Sequence, residues 1–139
     1  MITAKSERAR YKTSFVGGEH RGFADATVEK GGGELGFRPH ELLEAGFACC
    51  MNMWLRMHAD KHSMPLVGVE TRVSINRDKE GEAIFEYAIE LKGKLTQVQR
   101  RALLKAAESC SVRQTLSRNI SFRHMESLRE CGGSDCACV

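Results

Sequence analysis

No apolar run in this sequence approaches the roughly 20 consecutive residues that a membrane-spanning helix needs, so a helical span is excluded. One-sided charge is missing too. Lys plus Arg number 21 against 18 Asp plus Glu, interleaved along the chain, and so small an excess makes no field that would gather nucleic acid. The first residues, MITAKSERARYK, are polar and basic and lead into no apolar stretch, so the central region of a secretory signal is lacking and the cytoplasm is expected. What is present fits one globular domain. At 139 residues, 42% of them apolar, the chain can build a core without disulfide staples, and its six cysteines read as reactive, metal-binding or simply buried thiols.

Periodicity outlines the elements. Ala9, Tyr11, Thr13 and Phe15 alternate with polar neighbours and predict a strand, Gly17 and Gly18 a turn, and Gly22 to Val28 a second strand. Gly31, Gly32, Gly33 and Gly36 then predict a mobile loop. Pro39 opens a helix expected to reach about Lys61, with Glu41 and Glu44 suited to its positive end. Between Leu42 and Met57 only Glu44, Asn52 and Arg56 interrupt the apolar residues, so this helix belongs in a core and something must cover each of its sides. Val67 to Ile75 and Phe85 to Leu91 alternate around the turn RDKEGE and predict an antiparallel hairpin. Thr96 with Gln99 is a capping-box signal for a second helix, whose face carries Leu103, Ala106, Ala107 and Cys110. Ser111 is expected to cap a short third helix through Leu116, and Ile120, Phe122 and His124 to form a last strand. The result is an α+β domain with antiparallel pairing over residues 1–128, followed by a Cys-rich tail, 129–139.

Two helices thus each carry thiols on or near an apolar face. On spacing alone Cys49, Cys50 and Cys110 read first as small buried hydrophobes and second as a redox pair, and spacing does not choose between Cys49 and Cys50, which point about 100° apart. For Cys110 the N–H groups of a helix opening at Ser111 would favour a thiolate. In the tail, Cys131, Cys136 and Cys138 form C-x4-C-x-C, which is not the spacing of a zinc module, so no metal is expected there. His58 and His62, at i and i+4, read as an exposed helix end.

The segment FRPHELLEAGFACC resembles the central helix of the OsmC/Ohr family, with Pro39 eleven residues before Cys50, and ESCSVRQTL is similar to that family's second cysteine segment. Pro39, Leu42, Gly46, Cys50 and Cys110 carry the likeness in this order. The resemblance implies an intertwined homodimer with long central helices wrapped by antiparallel sheets. It implies reduction of organic hydroperoxides without a cofactor: Cys50 attacks the O–O bond and becomes a sulfenic acid, Cys110 resolves it as a disulfide, and an external dithiol restores the pair. A cation beside Cys50 is then expected, and Arg21, Arg38, His40 and Glu41 are the candidates for activating groups. In the family's peroxidases a glutamate stands ten residues before the attacking cysteine; here that position is His40 and the acid is Glu41. Phe47, Met51, Trp54 and Met57 are the candidate lining for an apolar substrate.

Three functions follow. The leading one is a cysteine-based peroxidase; the others are a thiol protein of the same fold that binds or senses a small apolar molecule, and a metal or thiol-transfer protein using the tail cysteines.

Overall fold

The structure, a computed structural model, describes residues 1–125, so the expected boundary at residue 128 and Cys131, Cys136 and Cys138 lie outside the described residues. The described chain is α+β with antiparallel strands. Strands β1 (Thr3–Ser6), β2 (Thr13–Gly17) and β3 (His20–Ala24) form one sheet in that order, and β4 (Leu66–Asn76) pairs with β5 (Ile84–Gly93) in a second. Helix α1 (Pro39–Lys61) joins the two, and α2 (Gln97–Ala107) and α3 (Ser111–Leu116) follow the hairpin.

The first sheet departs from expectation. Residues 8–12, read as strand from their alternation, make the turn between β1 and β2, closed by Glu7 N–H on the Lys12 carbonyl at 2.9 Å, with Tyr11 at φ 64°. A positive φ at Tyr11 breaks an extended run whatever its pattern of side chains. β1 itself was invisible because all four of its residues are exposed and carry no apolar period. The second strand is also shifted, ending at Ala24 where Asp25 begins a different structure.

Asp25 is buried, and its carboxylate accepts N–H bonds from Ala26 (2.8 Å), Gly33 (3.1 Å) and Leu35 (3.1 Å). Those bonds, the one from Leu35 above all, hold its pKa below the ordinary carboxylate range. The glycine-rich stretch expected to be a mobile loop is therefore folded on one carboxylate, with a single 3-10 turn at Val28–Lys30. Its glycines are there for close approach. A Cβ on Gly32 would stand 2.1 Å from the Ala26 carbonyl oxygen, and one on Gly36 2.5 Å from that of Phe23.

Helix α1 runs over the expected residues. Pro39 sits in its first turn, and Glu41 accepts the Arg38 backbone N–H at 2.8 Å while pairing with the Arg38 guanidinium, a capping arrangement that seals the N-terminus. Phe47, Met51, Leu55 and Ala59, four apart, are buried against the hairpin and α2. Two of the three polar interruptions noted in the sequence face inward: Glu44 accepts the Ile75 N–H (2.9 Å) and Asn52 donates to the Val69 carbonyl (2.7 Å), both on β4. The Thr71 hydroxyl returns a bond to the Ala48 carbonyl at 3.0 Å. The side of α1 away from the hairpin stays uncovered. Leu43, Gly46, Met53 and Met57 are exposed there, so the expectation of cover on every side is not met within one chain.

The α2 capping box forms as expected, with Thr96 and Gln99 each bonding the other's backbone N–H. After α3 the described residues contain no further strand. Ile120, Phe122 and His124 are exposed, Phe122 at 97%, and belong to neither sheet of the described residues, so their alternation marks no strand here.

Leu55 lies at the centre of the core shared by α1, α2 and the hairpin and is fully buried. Leu55→Ala is expected to cost roughly 2–5 kcal/mol of stability, read as a lower urea midpoint at unchanged slope.

Candidate functional site: a paired thiol at the start of α3

The core that α1 shares with α2 brings two sulfurs together. Leu55, Ala59, Leu103 and Ala107 lock the helices in register, and one turn further along α2 the chain turns at Cys110 into α3. Cys110 is 0% exposed, packed with Phe47 and Met51, and its thiol donates to the Cys50 sulfur at 2.8 Å. The Ser111 hydroxyl lies 3.4 Å from the same Cys50 sulfur. Cys50 is half-buried, and Cys49 beside it is exposed, facing away from the core. The choice that spacing left open is thus made by rotation about the helix: Cys50, not Cys49, meets Cys110.

The two thiols ionise in opposite senses. Burial disfavours the Cys50 thiolate, but hydrogen bonds from the Cys110 thiol, the Ser111 hydroxyl and the backbone N–H groups of Val112 and Ser111 outweigh it and hold its pKa below that of an ordinary thiol. For Cys110, burial comes first, then its bond to Cys50, and the pKa is raised despite N–H bonds from Arg113 and Val112. These contacts favour ionisation of Cys50 and oppose that of Cys110.

This corrects two expectations. Cys110, not Ser111, occupies the cap position of α3, and the N–H groups at its start do not make Cys110 the thiolate; they serve Cys50 instead. The part played by Ser111 and by the Val112 N–H was missed. A Cys-Ser pair opening a helix was the available signal, but sequence alone does not say which sulfur those donors face.

The other named residues lie as follows. Arg21 pairs with Glu7 at 2.9 Å, Arg38 with Glu41, and His40 Nε2 lies 3.0 Å from the Arg77 guanidinium. None of these four is among the groups that act most strongly on Cys50, which are burial and uncharged hydrogen-bond donors. Phe47 and Met51 are buried beneath the thiol pair, Phe47 edge-on to Phe85 and Tyr87. Trp54 donates its indole N–H to the Ala106 carbonyl at 2.8 Å, and Met57 is 62% exposed on the uncovered side of α1. Among the described residues no group of three or more His, Cys, Asp or Glu is placed to hold a metal ion, and no helix is long and apolar enough to cross a membrane.

A half-buried thiol on a long helix, met by a fully buried second thiol on an α+β frame, defines a paired-cysteine protein of the OsmC-like fold. The chain belongs to the OsmC-like protein family, whose sequence pattern matches residues 31–125. Its fold is similar to that of the OsmC like protein from Mycoplasma pneumoniae, with 16% identity over 84% of this chain and 85% of that one, and a TM-score of 0.72. It is likewise similar to the organic hydroperoxide resistance protein OsmC from Legionella pneumophila, with 23% identity, 84% and 88% coverage and a TM-score of 0.62. The organic hydroperoxide resistance protein OhrB of Bacillus subtilis gives 22% identity, 86% and 90% coverage and a TM-score of 0.59. No curated protein matches the chain.

The electrostatics of the pair are open to direct measurement. Iodoacetamide is expected to label Cys50 with a pH midpoint below that of an ordinary thiol, while Cys110 resists labelling in the folded protein. Ser111→Ala removes a donor to the thiolate, so the Cys50 midpoint is expected to move up. A midpoint unmoved by Ser111→Ala would show that the hydroxyl does not support the thiolate.

Proposed function

We propose that the chain is a cysteine-based peroxidase that reduces organic hydroperoxides at the expense of a dithiol, with Cys50 attacking and Cys110 resolving. The observation that carries this reading is the short contact between a thiolate-prone and a neutral buried sulfur. Two relatives of the same fold are named for organic hydroperoxide resistance, which supports the substrate class.

The chemistry balances without a cofactor. The Cys50 thiolate attacks the peroxide oxygen distal to the carbon, the O–O bond breaks, and the alkoxide leaves to take a proton from water. Cys50 becomes a sulfenic acid. The Cys110 sulfur then attacks the Cys50 sulfur; its proton departs with the hydroxyl as water, and the two residues close a disulfide. An external dithiol reduces it by exchange. Because the sulfurs start 2.8 Å apart, reaching the roughly 2.05 Å of a disulfide bond takes a movement of less than about an ångström.

We further propose that the working unit is an intertwined homodimer. The exposed Leu43, Gly46, Met53 and Met57 on α1, with the half-buried Cys50 between them, follow alternating three- and four-residue spacing, the pattern with which one helix seats on another. The β1–β2–β3 sheet also makes no substantial packing contact with α1 or with the hairpin of its own chain. A second copy covers both, and it would supply the remaining walls of an apolar site to which Trp54 and Met57 contribute. In that assembly Arg21, Arg38, His40 and Glu41 are proposed to stand near the thiols of one chain or the other.

Cys50→Ser is expected to abolish reduction of cumene hydroperoxide, whereas Cys110→Ser retains one turnover and fails to cycle. If Cys49→Ser is inactive and Cys50→Ser is not, the assignment of the attacking thiol is wrong. Binding of an apolar hydroperoxide with no disulfide formed would instead favour the sensing role, for which the uncharged surroundings of Cys50 speak. Sedimentation at micromolar concentration is expected to give the dimer mass; a monomer with a native circular dichroism spectrum would remove the dimer proposal.

A further inference from the structure

The chemistry at the thiols leaves one pair of donor side chains unused. At the far end of α1, His58 and His62 stand one turn apart on the same side of the helix, four residues being a rotation of about 400° and a rise of about 6 Å. The two rings have closed on each other: their centroids are 4.5 Å apart and their planes meet at 41°, so they lean together without stacking flat. His40, by contrast, has its Nε2 engaged with Arg77. Among the described residues neither His58 nor His62 holds a ring nitrogen that is both buried and unpartnered; His62 is exposed and His58 half-buried, so both rings are within reach of solvent.

The separation of the rings is that of two imidazoles on one metal ion. A late first-row divalent metal binds imidazole nitrogen at about 2.0–2.1 Å, which sets the ring centroid about 3.2 Å from the ion. Two such rings at a right angle about the ion have centroids about 4.5 Å apart, whereas a tetrahedral angle would open them to about 5.2 Å. The observed 4.5 Å matches the right angle, which is the geometry of tetragonal copper(II) and nickel(II). The backbone favours the same charge. His62 closes α1, and the last carbonyls of this 23-residue helix turn the negative end of its dipole toward a cation placed there. Of the charged side chains beside the pair, Asp60 and Lys61 are opposite in sign and both exposed.

We propose that His58 and His62 form a surface site for copper(II) or nickel(II), with two protein ligands and water in the remaining positions. The site begins eight residues after Cys50, about 12 Å along α1, and is independent of the peroxidase reading. Two ligands hold a metal less firmly than the three or four of a catalytic or structural site, so the ion exchanges with its surroundings. While bound it bridges successive turns of α1, and because it binds only the folded helix it also stabilises the fold.

The test uses the full chain, reduced, titrated with nickel(II) chloride, because nickel(II), unlike copper(II), does not oxidise the thiols. Sub-stoichiometric nickel is expected to broaden the imidazole proton resonances of His58 and His62 together, ahead of those of His20, His40 and His124. Trp54, the single tryptophan, lies one turn before His58, and its fluorescence is expected to fall over the same titration. In His62→Gln, a change on an exposed side chain that leaves the core intact, the affinity read from both signals drops at least about tenfold, no less than loss of an outer-shell partner costs a metal site. The melting temperature rises with nickel in the native chain and not in His62→Gln. Nickel that broadens all five histidines alike, or binding that His62→Gln leaves unchanged, overturns the proposal. So does loss of the His58 and His62 broadening in Cys50→Ser, which would place the ion on the thiols.

Discussion

The hydrogen bond from the Cys110 thiol to the Cys50 sulfur is the contact on which the arrangement turns, and it needs three helices to be in register. Cys50 is set by the rotation of α1, and that rotation is fixed by the apolar row Phe47, Met51, Leu55 and Ala59 together with Glu44 and Asn52 bound to the β4 backbone. Cys110 is set by the length of α2, which begins at a capping box and packs Leu103 and Ala107 against α1. A slip of one residue in either helix would turn a thiol by about 100° and separate the sulfurs. The indole of Trp54, bonded to the Ala106 carbonyl near the end of α2, ties the same two helices just before the thiol site.

The environment so made stabilises negative charge on Cys50 by dipoles rather than by a cation. A thiol, a hydroxyl and two N–H groups together outweigh burial, which by itself would raise the thiol's pKa. Donors of this kind leave the surroundings nearly neutral, and the neighbouring side chains, Phe47, Met51 and Val112, are apolar. A neutral, greasy molecule at the proposed site would therefore meet no desolvated charge other than that of an ionised Cys50. The cation expected from sequence was inferred from what a departing oxygen needs, and within one chain the arginines named for that task are engaged with Glu7 and Glu41.

Legibility followed how locally each element is determined. Helix α1, the hairpin and α2 could be read because each signal is local: a nearly unbroken apolar run behind Pro39 and Glu41 in α1, alternation in the hairpin, and one apolar face behind Thr96 and Gln99 in α2. The first sheet could not, since β1 has no buried face and the alternation at Ala9 to Phe15 continues through a turn that only the positive φ of Tyr11 reveals. The glycine-rich stretch looked mobile because its anchor, Asp25, is one ordinary acid whose three N–H partners lie up to ten residues away. At the thiols, the sequence told which elements carry cysteine, but not which sulfur the start of α3 would serve. That depends on contacts between Cys50 and Ser111, 61 residues apart.

The same distinction explains why the raised pKa of Cys110 suits the proposed sequence of events. The Cys110 thiol donates to the Cys50 sulfur, and in the proposed reaction its burial would keep it from competing with Cys50 for peroxide. If Cys50 is oxidised to carry a hydroxyl, its sulfur no longer offers the Cys110 proton the same acceptor, so the cause that raises Cys110's pKa through Cys50 is removed. The N–H groups of Val112 and Arg113, which favour ionised Cys110 and were outweighed before, then act with less opposition. In the proposed reaction, oxidation of Cys50 would thereby remove one of the causes that oppose ionisation of Cys110, while burial, the largest, stays. This requires nothing to move except a proton, and it makes the order of the two steps a property of the hydrogen bonds around the pair.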